Sequence, residues 1–210
     1  MPDPTLEALK SGMAIVGIEA ACIKTANKYY LIKTASEASI KGTVDSGENK
    51  PLRKGNRLLA RHKTEDLITG YEISLSDLLV YPEVVALIDG GVVTNSEEGA
   101  FESYAGPVTG EEVVRTVFAL ELYCANKDTG NNIVNYQKLT FTGCRGKSVV
   151  EWDIKEGEFF APKYTIESMP AVGESPMTME VVDALPVVSE SPQATGNPGG
   201  LRRSASSQIL

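Results

Sequence analysis

One continuous stretch, Ile68 to Gly91 (ITGYEISLSDLLVYPEVVALIDGG), limits the folds open to this chain more than any other. In its first part Thr69, Tyr71, Ile73 and Leu75 share one face of a two-residue period, and Glu72, Ser74 and Ser76 share the other. That alternation predicts a strand with one face buried and the other facing solvent or a partner. Pro82 then suits the first position of a helix, where its fixed φ helps and its missing N–H costs nothing. Glu83 follows in the first turn, where the helix dipole favours an anion. Val84, Val85, Leu87 and Ile88 form an apolar face, and Gly90-Gly91 supplies a left-handed stop. The spacing predicts a helix over Pro82–Asp89, about two turns at ~3.6 residues each. So short a helix is unstable alone and must lie on a sheet.

The rest of the chain supplies the strands. Ala14–Thr25 reads as a first strand, buried on both faces over part of its length. Lys28–Thr34 reads as a second, joined through the turn Ala26-Asn27, and Ser39–Val44 as a weaker third. After the helix, Val92–Glu98 reads as an acidic connector, and Phe101–Val108 carries the turn signal Gly106-Pro107. Glu111–Ala125 alternates as a strand, with Val114, Thr116, Phe118, Leu120, Leu122 and Cys124 as its core face. Asn126–Asn132 predicts a hairpin turn into Ile133–Thr142. Ser148–Ile154, a turn at Lys155-Glu156-Gly157, Glu158–Ser168 and Thr178–Val182 complete the set. Many short strands, polar turns and one short helix predict a mainly β fold. The expected architecture is a β-sandwich or partly open barrel with one short flanking α-helix and a long charged loop. Residues 1–12 read as an N-terminal arm and 13–182 as the β domain. Residues 183–210, rich in Pro, Gly and Ser, read as a flexible C-terminal tail.

The charged loop, Asp45–Asp66, is the most unusual piece. It contains Gly55-Asn56, a hairpin-tip dipeptide, and carries Lys50, Arg53, Lys54, Arg57, Arg61 and Lys63 with no acid among them. The whole chain has a net charge of −8, so these six cations leave the remainder at −14. The plain reading is a solvated loop. The functional one is a docking arm for an acidic surface, which the rest of the same protein offers, with Leu58 and Leu59 as an apolar anchor. Head-to-tail self-assembly uses such a pairing of unlike surfaces.

Composition narrows the chemistry. A pI near 4.8 argues against a general nucleic-acid binder. The N-terminal sequence has no secretory pattern, and the longest apolar run, Leu78–Ile88, is broken by Pro82 and Glu83 and too short for a bilayer. A cytoplasmic site of synthesis and no membrane association are therefore expected. Cys22, Cys124 and Cys144 read as free thiols in a reducing compartment. His62, the single histidine, sits in the basic run, which excludes a multi-histidine metal site and leaves a cysteine nucleophile without a good base. Gly143–Ser148 (GCRGKS) matches the end of a phosphate-binding loop, but Phe141 stands where its first glycine belongs, so it reads as a turn. Arg202-Arg203-Ser204 has the look of a kinase site in a tail. No catalytic, cofactor-binding or metal-binding residue is assigned, and an enzyme is not expected.

The order of these pieces resembles the major tail (tail tube) proteins of tailed bacteriophages. The likeness runs through LITGYEISLSDLLVYPEVVALIDGG, FESYAGPVTGEEVVRTVFALELYCA and SVVEWDIKEGEFFAPKYTIES, and covers about residues 12–182 in pattern. It implies a β-sandwich or barrel with one flanking helix, six copies to a ring, and stacked rings forming a hollow tube. Genomic DNA would pass through the lumen without sequence-specific binding. The partners implied are further copies of the chain and other phage tail proteins, in the tail of a virion assembled in the host cytoplasm. The resemblance gives the long loop the role of reaching the neighbouring ring, with Lys50, Arg53, Lys54, Arg57, Leu58, Leu59, Arg61 and Lys63 in the inter-ring contact. The alternative is a monomeric β-sandwich binding or adhesion module. Such a carbohydrate binder should cluster exposed aromatics on one face, whereas the sequence has a single Trp152 set in a strand pattern.

Overall fold

A computed structural model describes residues 12–152 and 154–187. The fold is mainly β, sandwich-like and without a closed barrel. In chain order the strands are β1 (Ile15–Lys24), β2 (Tyr29–Ile32), β3 (Ala35–Asp45), β4 (Asn49–Lys54), β5 (Arg57–Lys63) and β6 (Leu67–Asp77). The helix α1 (Pro82–Asp89) follows, then β7 (Val92–Asn95), β8 (Phe101–Ala105) and β9 (Phe118–Lys127). Last come β10 (Ile133–Gly146), β11 (Lys163–Ser168) and β12 (Met177–Val182). The main sheet runs β2-β1-β9-β10-β11-β6-β3, and β12 adds to β10. Its neighbouring strands are all antiparallel. The pairs β4-β5 and β7-β8 stand as separate two-stranded sheets.

The strand-hinge-helix stretch forms as its periodicity predicts. Ile73 and Leu75 of β6 are fully buried while Glu72, Ser74 and Ser76 are half-exposed. Pro82 opens α1, and the Tyr81 carbonyl accepts from the N–H groups of Val84 and Val85, both at 3.0 Å. Gly90 closes it in the left-handed region at φ 80°, its N–H donating to the Ala86 carbonyl at 2.8 Å. Val84, Val85 and Ile88 enter the core, and Leu87 packs half-buried at its margin. The core they join draws on β1, β2, β6, β9, β10 and β11, with Tyr164 and Phe141 among its largest members. The seat beneath the helix is Gly146, where a Cβ would lie 2.0 Å from the Ile88 carbonyl oxygen.

β10 carries the sheet around this core. Its first part pairs with β9 and β12, and its last three residues pair with β11. The register shifts between Phe141 and Cys144, and Gly143 there has φ 62°. A bulge of this kind bends the strand and sharpens its twist. Gly143–Gly146 is therefore strand and not the expected turn.

Several other boundaries differ from expectation, each for a local reason. The third strand is not weak: it covers Ala35–Asp45 and pairs along the whole of β6. The acidic connector contains a strand, because Val92–Asn95 pairs with Phe101–Ala105. β9 begins only at Phe118, since the preceding segment caps α1: Arg115 Nε donates to the Ile88 carbonyl at 3.1 Å. Val114 is accordingly exposed and does not join the core face. Ser148–Ile154 contributes only an isolated bridge at Glu151, because the N–H of Val150 is taken by the Asp89 side chain. β11 starts at Lys163, just after Pro162, which has no N–H to give a ladder.

The opposite face of β9 is also buried. Tyr123 packs with Ala20 and Cys22, and Leu31, Val182 and Leu185 close over them. The chain thus still packs at Leu185, two residues into the segment expected to be a tail. Residues 188–210, with the Arg202-Arg203-Ser204 motif, and residues 1–11 of the arm lie outside the described residues. The three cysteines are free, Cys22 and Cys144 buried and Cys124 half-buried. Burial pushes the Cys144 thiol up to about 11, which keeps it unreactive.

Candidate self-assembly surface

The long charged loop is a β-hairpin. β4 and β5 pair antiparallel from Asn49↔Lys63 to Lys54↔Arg57, around the two-residue turn Gly55-Asn56. Gly55 adopts φ 58°, the positive angle that glycine-first hairpin turns use. Leu59 is the extra residue of a bulge, lying between the pairs Leu52↔Ala60 and Arg53↔Leu58. All 13 residues of the two strands are exposed. The eight residues expected at an inter-ring contact, Lys50, Arg53, Lys54, Arg57, Leu58, Leu59, Arg61 and Lys63, are therefore gathered on one exposed finger.

A polar neck fixes that finger to the body. The Glu48 N–H donates to Thr64 Oγ1 at 2.7 Å, the Thr64 N–H returns to the Glu48 carbonyl at 2.9 Å, and the Gly47 N–H reaches Asp66 Oδ1 at 2.9 Å. Lys50 pairs with Glu48 at 2.5 Å, so its charge is already matched at the base. Among the described residues, Arg53, Lys54, Arg57, Arg61 and Lys63 have no ion-pair partner. Leu52, Leu58 and Leu59 are each about half-exposed or more, at 60%, 48% and 52%. Half-open apolar side chains among unpaired cations make this finger a candidate contact surface.

A second exposed apolar region lies around the start of α1. Val80, Pro82, Val85, Phe101, Tyr104 and Trp152 line a cavity of about 120 Å³. Trp152 stacks on Phe160, ring centroids 4.8 Å apart and planes within 7°, yet remains 46% exposed, and Phe101 is 53% exposed. Tyr104 turns its hydroxyl away to donate to Asp89 Oδ2 at 2.9 Å, and this burial and hydrogen bond push its pKa up to about 12. Glu83, Glu102 and Glu151 each adjoin a lining residue in the chain, and none of them has an ion-pair partner among the described residues.

A buried polar cluster on the outer face of the main sheet went unseen in the sequence. Glu121, 8% exposed, accepts from Tyr29 Oη at 2.6 Å and Tyr123 Oη at 2.9 Å, and pairs with Lys138 at 3.3 Å. Lys138 also reaches Glu180 of β12 at 3.0 Å. Burial raises the Glu121 pKa, but the two hydroxyls and the ammonium outweigh it and hold the carboxyl below its ordinary value. The visible signal was a lone glutamate inside the apolar run FALELYCA. Its satisfied lone pairs make this a clamp joining β2, β9, β10 and β12 rather than a reactive acid.

His62 lies in the exposed hairpin. Among the described residues no helix is long and apolar enough to cross a membrane. The sequence matches no protein-family model, and a search of curated proteins finds no significant match.

Proposed function

We propose that this chain is a structural protein that self-assembles into stacked hexameric rings forming a phage tail tube, a conduit for DNA delivery. The observation that carries the reading is the β4-β5 hairpin: an exposed finger of five unmatched cations and three open leucines on a body that is otherwise strongly acidic. A finger of one sign and a body of the other favour contact between copies and oppose contact between like surfaces. The partners on this reading are further copies of the chain, other tail proteins and DNA in transit through the lumen, and the location is the virion tail.

Electron microscopy of the purified chain tests this directly, with stacked rings as the expected result. A single exposed ion pair is worth only ~0–1 kcal/mol, so one Lys→Ala change in the hairpin leaves assembly nearly intact. Reversing Arg53, Arg57 and Arg61 to Glu turns attraction into repulsion in every copy and abolishes stacking, while circular dichroism shows an unchanged fold. Normal tubes from that variant defeat the docking role.

One observation favours the monomeric binding-module reading: Phe101 and Trp152 are exposed side by side at the α1 cavity. Titration of the monomer with oligosaccharides, followed through Trp152 emission, separates the two.

A further inference from the structure

We infer that the cavity at the start of α1 is the socket into which the hairpin of the next copy inserts, with one leucine of the Leu58-Leu59 pair entering it and Arg53, Arg57 and Arg61 turned toward the glutamates that adjoin its lining residues in the chain. The inference rests on the self-assembly reading and names the acceptor that the reading leaves open.

Placement is the first support. Leu67, the first residue of β6, pairs with Asp45 beside the hairpin neck, and Asp77, its last, pairs with Ala35 and leads in five residues to Pro82. The finger and the cavity therefore sit at opposite ends of one 11-residue strand. At ~3.3 Å per residue they are separated by roughly 33 Å along its axis. A projection at one pole and a cavity at the other cannot meet within one copy. They meet head to tail between copies, a contact that repeats along a stack wherever its rotation does not close it into a ring.

Chemistry is the second. The cavity walls are hydrocarbon and aromatic ring, and the hydroxyl of Tyr104 is committed to Asp89. At about 120 Å³ the space holds some four waters at ~30 Å³ each, enough for an aliphatic side chain. A sugar needs several placed polar groups to meet its hydroxyls, and this lining offers none. A leucine flanked by arginines fits the apolar lining, and Glu83, Glu102 and Glu151 each stand next in the chain to a lining residue, which adds negative charge to the region. Leu58 and Leu59 are neighbours next to the tip, with Arg53 paired across from Leu58 and Arg57 adjacent to it.

The test uses the full chain, and Trp152, its only tryptophan, is the reporter. On stacking, wild-type emission shifts to shorter wavelength as the indole loses water. Phe101→Lys, a change at a half-exposed position on the cavity wall, abolishes stacking and the shift while leaving the circular dichroism unchanged. The glutamate reversal Glu83→Lys, Glu102→Lys and Glu151→Lys does the same. Combining it with Arg53→Glu, Arg57→Glu and Arg61→Glu in one chain inverts both partners and restores stacking. Normal tubes from Phe101→Lys or from the glutamate reversal overturn the socket and leave the tail-tube reading standing, as does failure of the combined chain to restack. A wild-type chain that never assembles, or one whose Trp152 responds to oligosaccharide as a monomer, overturns both.

Discussion

The carboxylate of Asp89, at the last position of α1, accepts a 2.6 Å hydrogen bond from the backbone N–H of Val150, 61 residues further along the chain. An acid is the wrong sign for the C-terminal end of a helix dipole. Asp89 is buried there because its two oxygens serve the Val150 N–H and the Tyr104 hydroxyl, tying the helix to β8 and to the segment before β11. Asp89→Ala leaves both donors unmet and should cost about 3–6 kcal/mol, since hydrogen bonds to a charged group are worth ~1.5–3 kcal/mol each. Urea unfolding of the monomer measures it, and a loss under 1 kcal/mol would show that the tie is not structural.

The same pair sets an alkaline limit. The Tyr104 pKa in the fold, about 12, lies above its ordinary value of ~10, so its contribution is complete below pH ~10 and is lost as pH rises through about 12. Tyr104→Phe should flatten part of the fall in stability across that interval. An unchanged slope in that variant would reassign the alkaline loss to the other buried tyrosines.

Glu121 sets the acid limit in the opposite sense. Its carboxyl is held below the ordinary ~4.3, so the stabilisation is complete above that value and is lost as pH falls through the lower folded-state pKa. Glu121→Gln should lower the melting temperature at pH 7 and converge with wild type as pH falls below that folded-state pKa. Parallel curves across the whole range would mean that the clamp does not titrate with folding.

Helix packing can be graded residue by residue. Ile88 is fully buried and Leu87 only half-buried, so Ile88→Ala should cost ~2–5 kcal/mol and Leu87→Ala distinctly less. Equal losses would place the helix in a different rotation about its axis.

Gly146→Ala tests the seat under α1 from the other side. The added Cβ would lie 2.0 Å from the Ile88 carbonyl oxygen, a backbone atom that moves only with the whole helix. Overpacking of this kind costs ~1–3 kcal/mol. Differential scanning calorimetry showing no fall in the midpoint would mean the helix yields freely.

The parts legible in the sequence were those in which local pattern and tertiary role coincide. Pro82, the apolar spacing of Val84, Val85 and Ile88, and Gly90-Gly91 mark both ends and the buried face of α1, because caps and periodicity act within a few residues. Gly55-Asn56 marked a turn, but nothing in the basic run alternates in hydrophobicity. A hairpin with both faces in water leaves no such trace, so the dipeptide marks its tip while the extent and register of its two strands are not legible. The β9 boundary and the fate of Ser148–Ile154 were illegible for a different reason. Arg115 and Asp89 take backbone groups near α1 from far along the chain, and long-range capture of that kind has no local signature. The cavity at α1 likewise joins Val80, Phe101 and Trp152, brought together only by the fold.

The hairpin also bears on how the free chain stays in solution. β4 and β5 pair only with each other, so each has an outer edge of backbone donors and acceptors that no strand covers. An open edge carrying Leu52, Leu58 and Leu59 is a template for indiscriminate strand pairing, and charged side chains along it are the usual protection. The cations thus also keep one finger from zipping to another. Replacing them with acids preserves that protection. Replacing them with threonine or valine removes it, and such a chain should be lost to amorphous aggregate before any ordered particle can start.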